Sequence, residues 1–252
     1  MMNRFFIQTC ILLFPLSLSA QIDSAQWVLD KFLETSGGRA LWDSTVSVSI
    51  SQTNRSYNGG FLGVEEESIE LTKKIVHKSG DATISTLWID NGIKKRHIHC
   101  VRGDLYTLHV LSAQDTTHLF PATDPEFLKK IKEAYGLFGI QQHLLHPAID
   151  SLQIGFGGRY KEGEQEWWLI TLTDATGTAT WYVNTKTYYV DRNISGNGRI
   201  TSREAAAAFG GRIIPTIRRT YKNGQLINEV RIQSARFNEP LPDCPFEHSP
   251  DY

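Results

Sequence analysis

The sequence predicts an α+β protein, mainly antiparallel β, on three observations. Apolar and polar residues alternate over many short stretches, the signature of strands with side chains at a period of two. The stretches are joined by tight turns rich in Asn, Asp and Gly, which places consecutive strands antiparallel. Two amphipathic helical stretches, near Ser24–Ser36 and Phe127–His146, interrupt this meander and need a sheet to dock on.

The elements follow in chain order. Ser24 can cap a helix whose stripe is Val28, Leu29, Phe32 and Leu33, and Gly37-Gly38 ends it. Thr45–Thr53 alternates, with Val46, Val48 and Ile50 on one face and Ser47, Ser49 and Ser51 on the other. A turn at Tyr57–Gly60 leads to a long strand over Val64–His77, whose acidic patch Glu65–Glu67 reads as a solvated face. Strands over Ala82–Ile89, Ile93–Val101 and Leu105–Leu111 follow, the first pair joined at Asp90-Asn-Gly92.

Thr123-Asp-Pro-Glu126 then starts a helix with Phe127, Leu128, Ile131, Ala134 and Tyr135 on its apolar stripe, and a second helical piece stops at Pro147. It is a core helix or a movable lid. Ser151–Tyr160 is the next strand, with a bulge or turn at Gly157-Gly158. Trp167–Thr173, Thr178–Val183 and Thr187–Ile194 make three aromatic strands, with Trp168, Ile170 and Leu172 on one face and Trp167 on the other. Such a sheet must cover both faces or keep one for a ligand. Ser195–Gly198 is a loop, and Arg203–Phe209 has helical propensity through its alanines. Arg212–Tyr221 and Gln225–Phe237 form a hairpin around Lys222-Asn-Gly224, followed by a proline-rich tail.

Composition narrows the function. A formal net charge of −1 across 252 residues argues against a nucleic-acid partner and a polybasic membrane surface. Residues 1–20 read as a signal peptide: Arg4 is the positive region, Phe5–Leu18 is apolar but too short to span a bilayer, and small residues precede a cleavage near Ala20. Residues 21–252 then form a single domain, exported to the periplasm, with no transmembrane segment in the mature chain. Cys10 precedes most of the apolar run, which argues against a lipid anchor. Cys100 and Cys244 remain as a possible disulfide or as two buried thiols.

A search for chemistry finds no G-x-S-x-G, G-x-x-x-x-G-K or H-E-x-x-H motif. His97 with His99, and His143 with His146, are pairs on single faces; zinc needs roughly three or four convergent ligands, so they read as polar-face histidines. Glu164 and Glu166 beside Trp167-Trp168 have the composition of a glycosidase site, at a spacing of about 7 Å along one strand. The sequence therefore yields no catalytic residue, no metal site and no cofactor. Asn54-Arg-Ser56 and Asn193-Ile-Ser195 match glycosylation acceptors.

Several motifs together resemble exported proteins of the LolA/LolB-like, outer-membrane-lipoprotein-sorting superfamily. They are Trp27–Gly38 (WVLDKFLETSGG), Trp181–Arg192 (WYVNTKTYYVDR), Gly211–Pro215 (GRIIP) and Arg236–Phe246 (RFNEPLPDCPF). The matches lie toward both ends; Gly63–His146 matches in strand pattern only, and Gly196–Gly211 reads as an insertion. The resemblance implies a strongly curved, open (unclosed) β-barrel with helices covering its concave face, and a non-enzymatic carrier of acyl chains, lipid or lipoprotein. Candidate groove residues are Trp88, Trp168, Trp181 and Tyr189 on the sheet, with Leu128 and Ile131 on the helix; each is alternatively plain core. Two other readings stand beside it: an envelope scaffold that docks a protein partner at a sheet edge or at Glu65–Glu67, and a secreted hydrolase.

Overall fold

Two helices and twelve strands make up the described residues, which in the computed structural model are 14–59, 65–77, 81–90, 93–103, 105–111, 153–174 and 177–243. The helices are α1 (Phe14–Thr35) and α2 (Arg39–Asp43). The first five strands are β1 (Ser47–Gly59), β2 (Glu65–His77), β3 (Ala82–Asp90), β4 (Ile93–Arg102) and β5 (Leu105–Leu111). The remainder are β6 (Gln153–Glu162), β7 (Gln165–Asp174), β8 (Gly177–Asn184), β9 (Val190–Ser195), β10 (Ile200–Phe209), β11 (Arg212–Lys222) and β12 (Gln225–Phe237).

All twelve strands form one unclosed sheet in the order β5-β4-β3-β2-β1-β12-β11-β10-β9-β8-β7-β6. Each neighbouring pair is antiparallel, as the short turns predict. The pairing of β1 with β12 brings both ends of the domain to the middle of the sheet. Asn238 seals that junction: its Oδ1 accepts from the Val46 N–H at 2.8 Å, and its own N–H donates to the Ser47 carbonyl at 2.9 Å.

Register assigns the faces. Trp168, Ile170 and Leu172 on β7 lie opposite Val183, Trp181 and Ala179 on β8, so all six share one face. That face receives α1. Ala25, Val28, Leu29, Phe32 and Leu33 bury themselves against Ile170, Leu172, Trp181, Val183 and Val190. The expected stripe is the docked one, because only its spacing keeps four to five apolar side chains on one side of three helical turns.

The helix ends as a Schellman motif. The Gly38 N–H donates to the Leu33 carbonyl at 2.8 Å and the Gly37 N–H to the Glu34 carbonyl at 3.3 Å. Gly37 sits at φ +119°, and a Cβ there would stand 2.7 Å from the Gly211 carbonyl oxygen. The chain then turns into α2, whose Trp42 packs on the same face against Ile214 and Ala235. Arg212 ties these parts together, donating to Thr45 Oγ1 and to the Leu41 and Gly210 carbonyls.

Some expectations are corrected. Arg203–Phe209 is not helical; it lies in β10, because pairing along its length with β11 outweighs the small propensity of a few alanines. Gly196–Gly211, read as an insertion, supplies this strand in the interior of the sheet. β9 starts at Val190 rather than Thr187: the Asn184 side chain accepts from the Lys186 and Thr187 N–H groups and winds the preceding residues into a turn. β1 runs on through Tyr57 and Asn58 to Gly59, pairing with Glu65–Glu67 where a turn was expected. α1 begins at Phe14, before Ser24, since no glycine interrupts this stretch and Pro15 is tolerated in a first turn. Val46 precedes β1 and stays exposed. The expected helix over Phe127–His146, with Leu128, Ile131, His143 and His146, lies outside the described residues, as does Cys244; Cys100 on β4 is buried.

Two substitutions test this packing. Phe32→Ala should lower unfolding stability by about 3–5 kcal/mol, the usual loss for a buried aromatic. Gly38→Ala should lose about 1 kcal/mol for its left-handed backbone, with open space around its Cβ. Gly37→Ala should lose clearly more, about 2–4 kcal/mol, through the added clash. Urea unfolding followed by circular dichroism reads all three.

Candidate functional site

The helix-bearing face is not uniform. Against β7–β9 it is the apolar core just described. At the margin of that core, Phe156, Trp168 and Tyr189 are only partly buried. Trp27 of α1 is 45% exposed and meets Trp168 and Tyr188 edge to face, at ring separations of 6.3 and 5.5 Å. Arg159, opposite Trp168 in register, lays its guanidinium 4.1 Å from the Trp168 ring. Tyr189 contacts Phe32 of the helix at 6.1 Å.

Beyond β9 the same face carries polar and charged side chains beside a second apolar cluster, Trp42 with Ile214 and Ala235. Asn193 lies opposite Trp181, and Thr201 opposite Asn193, so β10 continues the face through Thr201 and Arg203. Arg203 lies directly opposite Arg218 of β11. Across the β1–β12 junction, Lys74 of β2 is on this face too, opposite Ile50 and Ile84. His99 and His97 follow on β4, their rings 6.2 Å apart, with His99 Nδ1 2.8 Å from the Tyr106 hydroxyl.

Burial governs the titration of these groups. It pushes Arg203 down to about 10, with the Arg218 charge adding to the effect. It pushes Lys74 down to about 8, again helped by Arg218. Arg218 itself is lowered by burial, as is His99, to which the His97 charge adds. Burial raises the Tyr189 hydroxyl, against a smaller opposing pull from Arg203, so it is a neutral donor at neutral pH.

Among the described residues six buried side-chain polar atoms lack a hydrogen-bond partner, and five lie on this face: Trp168 Nε1, Tyr189 Oη, Asn193 Oδ1, Arg203 Nη1 and Arg218 Nε. Buried polar groups are ordinarily satisfied, so a concentration of this kind marks a surface shaped for something polar. The sixth, Arg192 Nε, is on the opposite face.

That opposite face is self-contained. Tyr160, Trp167 and Tyr182 contact one another at 5.7–6.2 Å and surround Arg192, whose guanidinium is 4.3 Å from the Tyr182 ring and pairs with Glu162 at 2.9 Å. Trp167 Nε1 donates to Asp191, which also accepts from Asn184. Arg219 Nε and Arg231 Nε both bind Glu229, at 2.7 and 2.6 Å, and Arg219 also pairs with Glu204.

Of the residues singled out from sequence, Trp168 and Tyr189 stand together at the margin of the α1 core, while Trp181 is fully within it. Trp88 is on the same face by register, opposite Glu70 and Lys95; its side chain lies outside the described set, as do Leu128 and Ile131. Glu164 sits in the β6–β7 turn, and Glu166 on β7 pairs with Arg159 at 3.8 Å. Among the described residues no group of three or more His, Cys, Asp and Glu is placed to hold a metal ion. Sequence reading passed over Arg203, Arg218 and Lys74. The signal was Arg218-Arg219: adjacent residues of a strand face opposite ways, so one of the two has to point to the helix-bearing face.

No family model and no curated protein matches this chain. Solved structures do. A DUF1329 family protein from Desulfovibrio piger aligns with a TM-score of 0.52 at 11% identity, covering 89% of this chain and 98% of its own. A LolA superfamily protein from Nitrosomonas europaea aligns with a TM-score of 0.50 at 11% identity, covering 86% and 94%. At that identity the likeness is one of fold: this chain has the open, curved antiparallel sheet of LolA-like proteins, as its motifs implied.

The ion pairs of the opposite face give a pH prediction. Hydrogen bonds from Arg231 and Arg219 hold the Glu229 carboxyl below its ordinary value. A lowered carboxylate stabilises the fold above its unfolded pKa of about 4.3, and this is lost as pH falls through the folded value. Glu229→Gln should therefore lose about 1–3 kcal/mol at neutral pH, and the gap to wild type should narrow below about pH 4. A gap constant with pH in urea melts would show that Glu229 is not the charged partner.

Proposed function

We propose that this protein is an exported binding protein that holds an acyl chain or similar amphiphile on the helix-bearing face, with the helices covering the concave side of the sheet. The observation that carries the reading is the edge of the α1 core. There Trp168 and Tyr189 present apolar ring surface beside polar tips that no group among the described residues satisfies. A sealed core would bury the rings and pair the tips. The LolA-like fold supports it, since the sequence resemblance to that superfamily implies carriage rather than catalysis.

Export fits the same picture. Cleavage near Ala20 would shorten α1 but leave the docked stripe, Ala25 to Leu33, intact. No described helix is long and apolar enough to cross a membrane. The mature protein then works in the periplasm, taking up acyl chains of a lipid or lipoprotein, with an envelope protein as donor or acceptor.

Affinity on this account comes mainly from apolar area, about 25 cal/mol per Å² before association costs. Native mass spectrometry of protein purified from its host should show a bound amphiphile. Trp168→Ala should weaken a fluorescent fatty-acid probe by about tenfold, as expected for loss of a large aromatic contact. Protein that is ligand-free from its host and also fails to bind the probe would overturn the proposal.

A further inference from the structure

We infer that Arg203 and Arg218, with the Tyr189 hydroxyl beside them, form a recognition site for an anionic oxygen group, a carboxylate or a phosphate. This deepens the carrier reading, on which it rests for the identity of the ligand: the bound amphiphile is acidic, its head at the arginine pair and its chain along the margin of α1.

The placement begins with register. Arg203 and Arg218 are a direct cross-strand pair. Like charges so placed repel, and a strand pair gains nothing from them by itself. Each side chain lies deep among protein atoms while part of it stays accessible, so both charges are largely desolvated without being sealed off. Arg203 Nη1 and Arg218 Nε are buried and, among the described residues, donate to no partner. Among the described residues neither arginine makes an ion pair.

The next residue along β11 shows that this is not a general habit of the chain. Arg219, on the opposite face, is held by Glu229 and Glu204. Arg192, Arg219 and Arg231 of that face take carboxylates from the chain itself; among the described residues the Arg203–Arg218 pair has none. An anion between the two forks would relieve the repulsion and satisfy the orphan N–H groups together, because the planar guanidinium matches two oxygens at once.

Tyr189 extends the site toward the helix. Tyr189 lies close enough to Arg203 to interact with it, its hydroxyl is unpartnered, and its ring packs on Phe32. One side chain therefore joins the cationic pair to the apolar core, the arrangement an acidic head and an apolar tail require.

The test compares dodecanoate, dodecyl phosphate, dodecanol and inorganic phosphate by titration calorimetry below micelle formation. Wild type should bind both anionic amphiphiles about tenfold or more tighter than dodecanol, since charged hydrogen bonds distinguish the heads. The double variant Arg203→Gln/Arg218→Gln should lose that preference while keeping its dodecanol affinity, which also reports that it has folded. Arg218→Lys, which keeps the charge and loses the fork, should fall between. Equal binding of dodecanoate and dodecanol by wild type, with no phosphate bound, would overturn the inference and leave the carrier reading intact. Phosphate binding that the double variant abolishes, with neither dodecanoate nor dodecanol bound, would support the anion site with a free anion as its ligand and overturn the carrier. A wild type that binds none of the four would overturn both.

Discussion

The docking of α1 on β6–β9 is the contact on which the rest depends. Three aromatic strands expose too much apolar surface for water on both faces. The opposite face solves this locally, by caging Arg192 among Tyr160, Trp167 and Tyr182 and pairing it with Glu162. The other face needs a separate element, and α1 supplies it. The Gly37-Gly38 end of the helix and the Trp42–Arg212 contacts then fix where the helix lies against β11 and β12.

The contact covers β6–β9. Beside it on the same face Asn193, Arg203 and Arg218 follow within two strands, before the Trp42–Ile214–Ala235 cluster. A surface that sets a cationic pair at the margin of an apolar core is suited to a molecule with the same division. Among the described residues, five of the six unsatisfied buried polar atoms fall on the helix-bearing face and one, Arg192 Nε, on the other.

Most of the strand order was legible in the sequence, for physical reasons. Alternation set the faces of β7 and β8, Asn-Gly turns set hairpins such as β11–β12, and the Gly157-Gly158 pair falls at the β6 register shift. The motif Trp181–Arg192 proved to be turn chemistry, with Asn184 and Asp191 as its hydrogen-bonding centres. β10 was not legible, because four alanines carry helix propensity and its strand state is set by neighbours distant in sequence. The cationic pair was missed for the same reason. Arg203 and Arg218 meet only through long-range register, which no local pattern encodes.

The central claim is that the helix-bearing face, and not the opposite one, holds an amphiphile. Photolabelling with a diazirine-bearing fatty acid, followed by peptide mapping, tests it most directly. The account predicts labels on α1 near Trp27 and on the strands around Trp168, Tyr189 and Arg203. Labels concentrated at Tyr160 and Tyr182, or spread without preference over the surface, would contradict it.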